Sequence, residues 1–301
     1  MTDFELQQAR RHKWRMDNNP IRTLDDAREF IESVGLCLLF PLARQETKSP
    51  GLALVAPTFV GAFIGSDENV PTLQRAFADS RAQSAIELMV RLLRERAAYE
   101  ASLFGDDNSL LIAASIFQYF YALVGDRNPN QQAKSKSRRG APSGLSPLAE
   151  DVLAVIHREG PIVKPRLQEL LGGDLSLAAV DRALAELWSR LTITRVDYNA
   201  RDGAAWDILY RWSPEPVNEG AHLSIGQSLS ALISRYLDAM IAAEPAEIED
   251  FFSTVVARSR VKESVNALLA AREFSFVHVG KRTLVQVTPV RLDTRPRARR
   301  A

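Results

Sequence analysis

The chain has 301 residues, of which 46% are hydrophobic and 25% charged, a balance typical of a globular protein with two or three compact domains. The densest apolar run, Leu36 to Pro41, is short, and the run from Leu52 to Ile64 is interrupted by Pro57 and Gly61, so neither supplies the roughly 20 apolar residues that cross a bilayer. The charged N-terminus lacks a signal-peptide pattern, which predicts a cytoplasmic protein, and the single cysteine, Cys37, excludes an internal disulfide.

The formal net charge of +1 is unevenly distributed along the chain. Residues 1–22, 126–140 and 291–301 carry net charges of +2, +4 and +4, which leaves the remainder near −9. We predict a basic N-terminal arm over 1–22 and a basic tail over 291–301. Flexible basic segments suit phosphate contact, because each neutralised phosphate releases a counterion. The alternative is that these segments are basic only for solubility, since an acidic body repels DNA.

Residues 23–125 are predicted to form a domain of mixed helix and strand. Thr23 is a good N-cap for a helix that carries acidic residues in its first turn and ends at Gly35. A buried strand over 36–40, stopped by Pro41, follows that helix.

Three further helices are predicted in this domain, over residues 72–77, 83–99 and 110–124. The second has a basic face that includes Arg91 and Arg94, for which a solvated surface is the preferred interpretation. The third is rich in aromatic residues. We interpret these as core and not as a base-stacking platform, because helical spacing spreads aromatic rings around the axis.

Residues 126–144 have no apolar periodicity and are rich in Pro, Ser and basic residues, which predicts a basic linker. A central winged-helix domain is predicted over 145–214. The elements expected there are a helix from Ser146-Pro147 to Gly160, a short helix over 165–171, a third helix from Ser176, a strand over 192–196, a polar turn over 199–204 and a second strand over 206–212.

Pro214 and Pro216 predict a second linker, and residues 221–290 repeat the central plan as a C-terminal winged-helix-like domain. The elements expected there are a helix over 224–242, a helix from Pro245, a helix capped by Ser259 and a hairpin that turns at Gly280-Lys281.

The chain is therefore predicted to be a helix-rich α+β protein, with tandem winged-helix domains following an N-terminal mixed α/β domain. A winged helix lays its third helix in the DNA major groove, so double-stranded DNA is the predicted partner, with backbone and wing contacts dominating. Winged helices also serve as protein-interaction modules, which leaves a protein partner as an alternative. The predicted DNA-binding residues are Arg182, Arg190, Arg195, Tyr198, Asn199, Arg201, Arg258, Arg260, Lys262, Lys281 and Arg282.

No catalytic residue, metal site or cofactor is predicted. The four histidines, His12, His157, His222 and His278, lack metal-ligand spacing, and the chain has no phosphate-binding loop or nucleophile-elbow motif. Paired acids such as Asp25-Asp26 fit helix N-termini better than acid-base catalysis.

Three stretches carry a resemblance to a known family: residues 23–41, the aromatic run 119–123 and the end of the central domain at 209–212. Together they resemble the AlkZ-related branch of the bacterial winged-helix proteins, a family that includes the AlkZ/YcaQ DNA glycosylases. The resemblance extends from about residue 20 to about residue 288. It implies tandem winged-helix domains that embrace duplex DNA, and a role in DNA repair.

The chain departs from the glycosylase pattern at the catalytic motif. The resemblance implies a Gln-x-Gln or Gln-x-Asp motif whose polar side chains position the attacking water. None of the glutamines here has Gln or Asp two positions later; they are residues 7, 8, 45, 74, 83, 118, 131, 132, 168, 227 and 286. The corresponding segment, 35–41, is apolar, and Leu, Cys and Phe neither orient water nor stabilise an oxocarbenium ion. We therefore expect DNA binding without glycosylase catalysis, and keep a diverged glycosylase as the alternative.

Overall fold

A computed structural model describes residues 1–17, 19–41, 56–66, 68–76, 78–102, 109–128, 144–173, 175–199 and 201–289. Over these residues the protein is α+β and rich in helix, with three small antiparallel sheets. None of the helices in these ranges is long and apolar enough to cross a membrane. Most of the predicted linker and the whole predicted tail lie outside the described residues.

The helices and strands follow in chain order. The first part holds α1 (Asp3–Lys13), α2 (Leu24–Val34), β1 (Leu36–Leu38), α3 (Phe59–Ile64), α4 (Leu73–Ala76), α5 (Ser80–Arg94), β2 (Ala98–Ala101), β3 (Leu110–Ala113), a 3-10 turn (Ala114–Ile116) and α6 (Phe117–Val124). The central part holds α7 (Pro147–Glu159), β4 (Ile162–Val163), α8 (Lys164–Leu170), α9 (Leu177–Ser189), β5 (Ile193–Asn199), β6 (Gly203–Ile208) and α10 (Leu209–Trp212). The last part holds α11 (Pro214–His222), α12 (Ile225–Met240), α13 (Pro245–Phe252), α14 (Arg258–Ala270), β7 (Phe274–Val279) and β8 (Arg282–Val287).

The N-terminal segment is a docked helix, which corrects the prediction of a flexible basic arm over 1–22. A capping box closes the start of α1, and its Arg10 side chain is 3% exposed. Arg10 Nε donates to the Met240 carbonyl (3.0 Å) and Arg10 Nη2 to the Ala242 carbonyl (2.6 Å). Trp14 Nε1 donates to the Ala239 carbonyl at 2.8 Å. Basic residues of this segment therefore hold α1 on the C-terminal end of α12, a role that composition does not reveal.

The first sheet has the order β1-β3-β2, and its formation corrects two predicted helices. The helix expected over 83–99 ends at Arg94, because Arg96 adopts a left-handed backbone conformation and the chain continues as β2. The helix expected over 110–124 begins as β3, which pairs with both neighbouring strands. Short apolar runs fit a strand and a buried helix equally well by period, and the two partner strands decide between them.

The central unit, α7 to β6, has the element order predicted for it, and its sheet has the order β4-β6-β5. It closes its own hydrophobic core, which includes Val152, Leu184, Leu187, Trp188 and Trp206. The second predicted strand is shorter than expected: β6 ends at residue 208, and residues 209–212 form the short helix α10.

The C-terminal unit, α12 to β8, consists of three helices and a hairpin, as predicted. The linker expected after Pro214 is instead the helix α11, which is compatible with proline because Pro214 occupies its first turn. The helix α14 begins at Arg258 with Ala257 as N-cap, so Ser259 lies inside the helix and is not its cap.

One large hydrophobic core joins the first and last parts of the chain. It includes Phe30 of α2, Phe117 of α6, Leu232 of α12 and Phe252 of α13. The predicted domains 23–125 and 221–290 thus share a core, while most buried apolar residues of the central unit form a second one and its Leu191 packs in the first.

Candidate nucleic-acid interface

The third helix of the central unit, α9, presents few charged groups of its own to solvent. Ser176 caps it by accepting a hydrogen bond from the Ala179 amide, and Val180, Leu184 and Leu187 turn into the core. Leu177, at 47% exposure, and Arg182 lie on the exposed side. Arg182 has no hydrogen-bond partner among the described residues, so its guanidinium is available to a ligand.

Both acids of α9 are engaged by neighbouring elements. Lys164 Nζ contacts both carboxylate oxygens of Asp181, at 2.9 and 3.1 Å. Glu186 accepts hydrogen bonds from the hydroxyl (2.7 Å) and the amide (2.9 Å) of Ser146, the N-cap of α7, and these bonds lower the pKa of the Glu186 carboxyl. The charge of Asp181 is therefore paired with a lysine, whereas Glu186 stays ionised and lies 3.7 Å from Arg190.

The hairpin of β5 and β6 presents a cation in its turn and a tyrosine near the end of β5. The Arg201 side chain is 93% exposed, with its Nε 3.8 Å from an Asp202 carboxylate oxygen, and Tyr198 is 36% exposed. Gly203 begins β6 with a φ of +80°, a conformation that glycine adopts without strain. Asn199 is the last residue of β5, and its side chain lies outside the described residues.

Arg195, which was predicted to grip phosphates, is half-buried and engaged by partners within the protein. Its Nη1 donates to Oε1 of the buried Glu100 at 2.9 Å. Its guanidinium carbon lies 4.2 Å from the centre of the Trp188 ring and 5.0 Å from that of Trp206. The guanidinium therefore contacts two indoles and a buried carboxylate, while about a third of the side chain (33%) stays exposed.

Arg190, at the end of α9, is also engaged by the protein. Its guanidinium donates to the Gly144 carbonyl at 2.5 Å and lies 3.7 Å from Glu186. These contacts hold the start of the central unit against the end of α9.

The predicted cations of the C-terminal unit divide into two groups. Arg258 is held by Glu249 (2.8 Å) and Asp250 (2.6 Å), and Arg282 is held by Asp3 and Glu244. The other three are exposed and have no hydrogen-bond or ion-pair partner among the described residues; they are Arg260, Lys262 and Lys281.

The structure places these residues on two different units. Arg182, Tyr198 and Arg201 belong to the central unit, whereas Arg260, Lys262 and Lys281 belong to the C-terminal unit. Sequence reasoning missed Glu100 and Lys164, which pair with Arg195 and Asp181 of the central unit. An isolated Glu in a short strand gives no sequence signal of its partner.

Small antiparallel sheets, a central helix and hairpin unit with its own core, and a second such unit packed on the N-terminal helices define a helix-rich α+β fold. The same fold occurs in the Streptomyces sahachiroi DNA glycosylase AlkZ, with a TM-score of 0.56 and 12% sequence identity over 96% of this chain and 70% of that chain. The chain belongs to the AlkZ-like DNA glycosylase family, whose profile matches residues 70–301. The match begins after β1, so the apolar segment 35–41 lies outside it. No curated protein matches the chain.

Proposed function

We propose that the chain binds double-stranded DNA through its central unit, acting as a winged helix. In this proposal α9 is the helix that lies in the major groove, and the β5–β6 turn is the wing. The single observation that carries the proposal is the Arg201 side chain, which stands 93% exposed at the tip of a hairpin that follows three helices. Membership of a DNA glycosylase family supports it.

Contacts to the DNA backbone dominate over contacts to bases in this proposal. Arg182 is the only unengaged charged side chain among the described exposed residues of α9, since Asp181, Glu186 and Arg190 have partners within the protein. One arginine and the apolar Leu177 offer few hydrogen-bonding groups with which to read the donor and acceptor pattern of the base pairs. An exposed arginine at the wing suits phosphates and the minor groove.

The C-terminal unit supplies a second set of backbone contacts in this proposal. Arg260 and Lys262 lie in the first two turns of α14, and Lys281 lies at the tip of the β7–β8 hairpin. Two units that each present cations bind a polyanion more tightly than one, provided that both reach the same duplex.

The proposed activity does not include glycosylase catalysis. The side chains of β1 and the residues that follow it are apolar and buried, and burial raises the pKa of the Cys37 thiol. These side chains offer no group that positions a water. A base-release assay on alkylated and crosslinked duplexes tests this part: release above the rate without protein would establish the alternative, a diverged glycosylase.

The experiment that tests DNA binding is a titration of duplex DNA across a series of salt concentrations. We expect the wild type to bind with affinity that falls steeply with salt, and the Arg182→Ala/Arg201→Ala variant to have a log–log slope smaller by roughly two. The matched control, Arg75→Ala/Arg158→Ala, removes two exposed arginines from outside α9 and the wing and leaves the slope unchanged. Weak binding that salt does not change would contradict the proposal and favour a protein-interaction scaffold.

A further inference from the structure

We propose that Glu100 and Arg195 form an internal lock that fixes the direction of the wing, so that Arg195 acts on DNA binding as a positioning residue and not as a contact. This inference rests on the proposed function, because it assigns a role in that same interface. In this proposal Glu100, a residue of the first sheet that is far from the wing tip in sequence, sets the direction in which the β5–β6 hairpin points.

The lock joins β2 to two elements of the central unit at one residue. The Glu100 carboxylate accepts the hydrogen bond from Arg195 on β5, and the Glu100 backbone carbonyl accepts a hydrogen bond from Trp188 Nε1 on α9 at 3.0 Å. The indoles of Trp188 and Trp206 meet edge to face, with ring centres 5.3 Å apart, and both centres lie within 5.0 Å of the Arg195 guanidinium carbon.

A second ion pair fixes the same strand nearer to the wing. Arg94, at the end of α5, contacts Asp197 on β5 at 2.7 Å. Asp197 is two residues beyond Arg195, and a shift in the β5–β6 register falls between them. Because a bulge bends its strand, two anchors on either side of it define where the remainder of the hairpin points.

The composition of the lock favours a positioning role over a contribution to stability. Glu100 is 1% exposed, and both its Oε2 atom and Arg195 Nε are buried without a hydrogen-bond partner among the described residues. The Arg195 side chain is 33% exposed, so the cost of the pair lies mainly in the desolvated carboxylate, one oxygen of which has no partner among the described residues. Replacing such pairs by apolar groups is often neutral or stabilising. What the pair supplies here is a defined geometry, because a guanidinium and a carboxylate meet in few orientations.

The test separates the direction of the wing from the stability of the fold. Spin labels at Ser84→Cys on α5 and Arg201→Cys on the wing report their separation, and the buried native Cys37 stays unlabelled. We expect a narrow distance distribution in the otherwise wild-type chain. In the Glu100→Gln/Arg195→Met background we expect a broad or shifted distance distribution. The single variant Arg195→Met leaves the buried Glu100 carboxylate unpaired, so we expect the double variant to unfold at a higher temperature than that single variant.

The same double variant, without labels, is expected to bind duplex DNA more weakly at an unchanged salt slope. If the wing occupies its binding direction for one tenth of the time, the affinity falls about tenfold. Arg201→Ala, by contrast, lowers the slope. The matched control Arg158→Met/Glu159→Gln removes an exposed ion pair of the same unit and changes neither the distance nor the affinity.

Each outcome bears on the lock. A distance distribution that stays narrow in the double variant would overturn it, and so would a broadened distribution with unaltered DNA affinity. A loss of affinity accompanied by a smaller salt slope would show instead that Arg195 contacts phosphate. Failure of the wild type to bind DNA would refute the proposed function, and the distance measurement would still decide whether the lock fixes the hairpin.

Discussion

The Arg10→Met substitution tests whether α1 is held to the end of α12 by one buried guanidinium. In the structure Arg10 satisfies the carbonyls of Met240 and Ala242, two residues that are 1% and 0% exposed. The α12 helix ends at Met240, and Ile241 then adopts a φ of +65°, so these carbonyls have lost their helical partners. Methionine fills similar volume but donates no hydrogen bond.

The magnitude follows from two opposing contributions. The Met240 carbonyl keeps a hydrogen bond from the Ala242 amide at 2.7 Å, so the substitution leaves one buried carbonyl, that of Ala242, without a donor. That loss costs about 1 to 3 kcal/mol, and losing the second bond to Met240 costs about 0.5 to 1.5 kcal/mol more. Part of this is regained, because burial disfavours the charged form of Arg10 and lowers its pKa, and methionine carries no charge to desolvate. We therefore expect a net loss of about 1 to 3 kcal/mol in the free energy of unfolding, or a fall in melting temperature of about 2 to 6 °C for a chain of this size.

Thermal unfolding followed by far-ultraviolet circular dichroism measures this loss. The control is Gln7→Met, on the exposed side of the same helix, for which we expect a change within about 0.5 kcal/mol. A melting temperature for Arg10→Met within about 1 °C of the wild type would refute the reasoning, because the contribution of the guanidinium would then be smaller than a single neutral hydrogen bond.

Three further predictions concern an acid-sensitive contact, a turn and the single thiol. Glu186 has a lowered pKa in the folded state because Ser146 donates to it, so its contribution to stability is present above the unfolded pKa of about 4.5 and is lost as the pH falls through the lower folded value. Urea denaturation at several pH values should show a smaller acid-dependent loss in Glu186→Gln, and an identical pH profile would argue against this role. Gly35→Ala should lower the free energy of unfolding by about 2 to 4 kcal/mol, because Gly35 has a φ of +73° and a Cβ would lie 2.6 Å from Arg235 Cγ; a variant as stable as the wild type in the same assay would contradict this. Cys37 is 0% exposed and its thiol pKa is raised, so a disulfide reagent should react with it only after denaturant is added, and rapid reaction in the native protein would show that β1 is open.

The elements that sequence predicted correctly are those with strong local signals. The helices α2, α7 and α12 begin after Thr23, Ser146 and Ser224, side chains that cap them by accepting backbone hydrogen bonds. Their long apolar periodicity is unambiguous. The family resemblance, stated from three short stretches, is confirmed by a family profile that matches residues 70–301.

The candidate interface was predictable only in part. Composition identifies which residues are cations, and Arg182 and Arg201 are exposed on α9 and on the β5–β6 turn, the elements where the pattern placed them. Composition does not identify which cations are already paired within the protein. Arg195 meets a carboxylate 95 residues away, and Arg282 meets one 279 residues away.

The sequence by itself determined the helix starts, the helix and hairpin order of the two units, and the absence of a glutamine motif, because caps, periodicity and residue identity act within a few neighbouring positions. The tertiary structure alone decided that residues 110–113 are a strand, that α1 is docked, and which arginines face solvent. These features depend on contacts between segments far apart in the chain, where the pairing partner is set by packing and not by local preference.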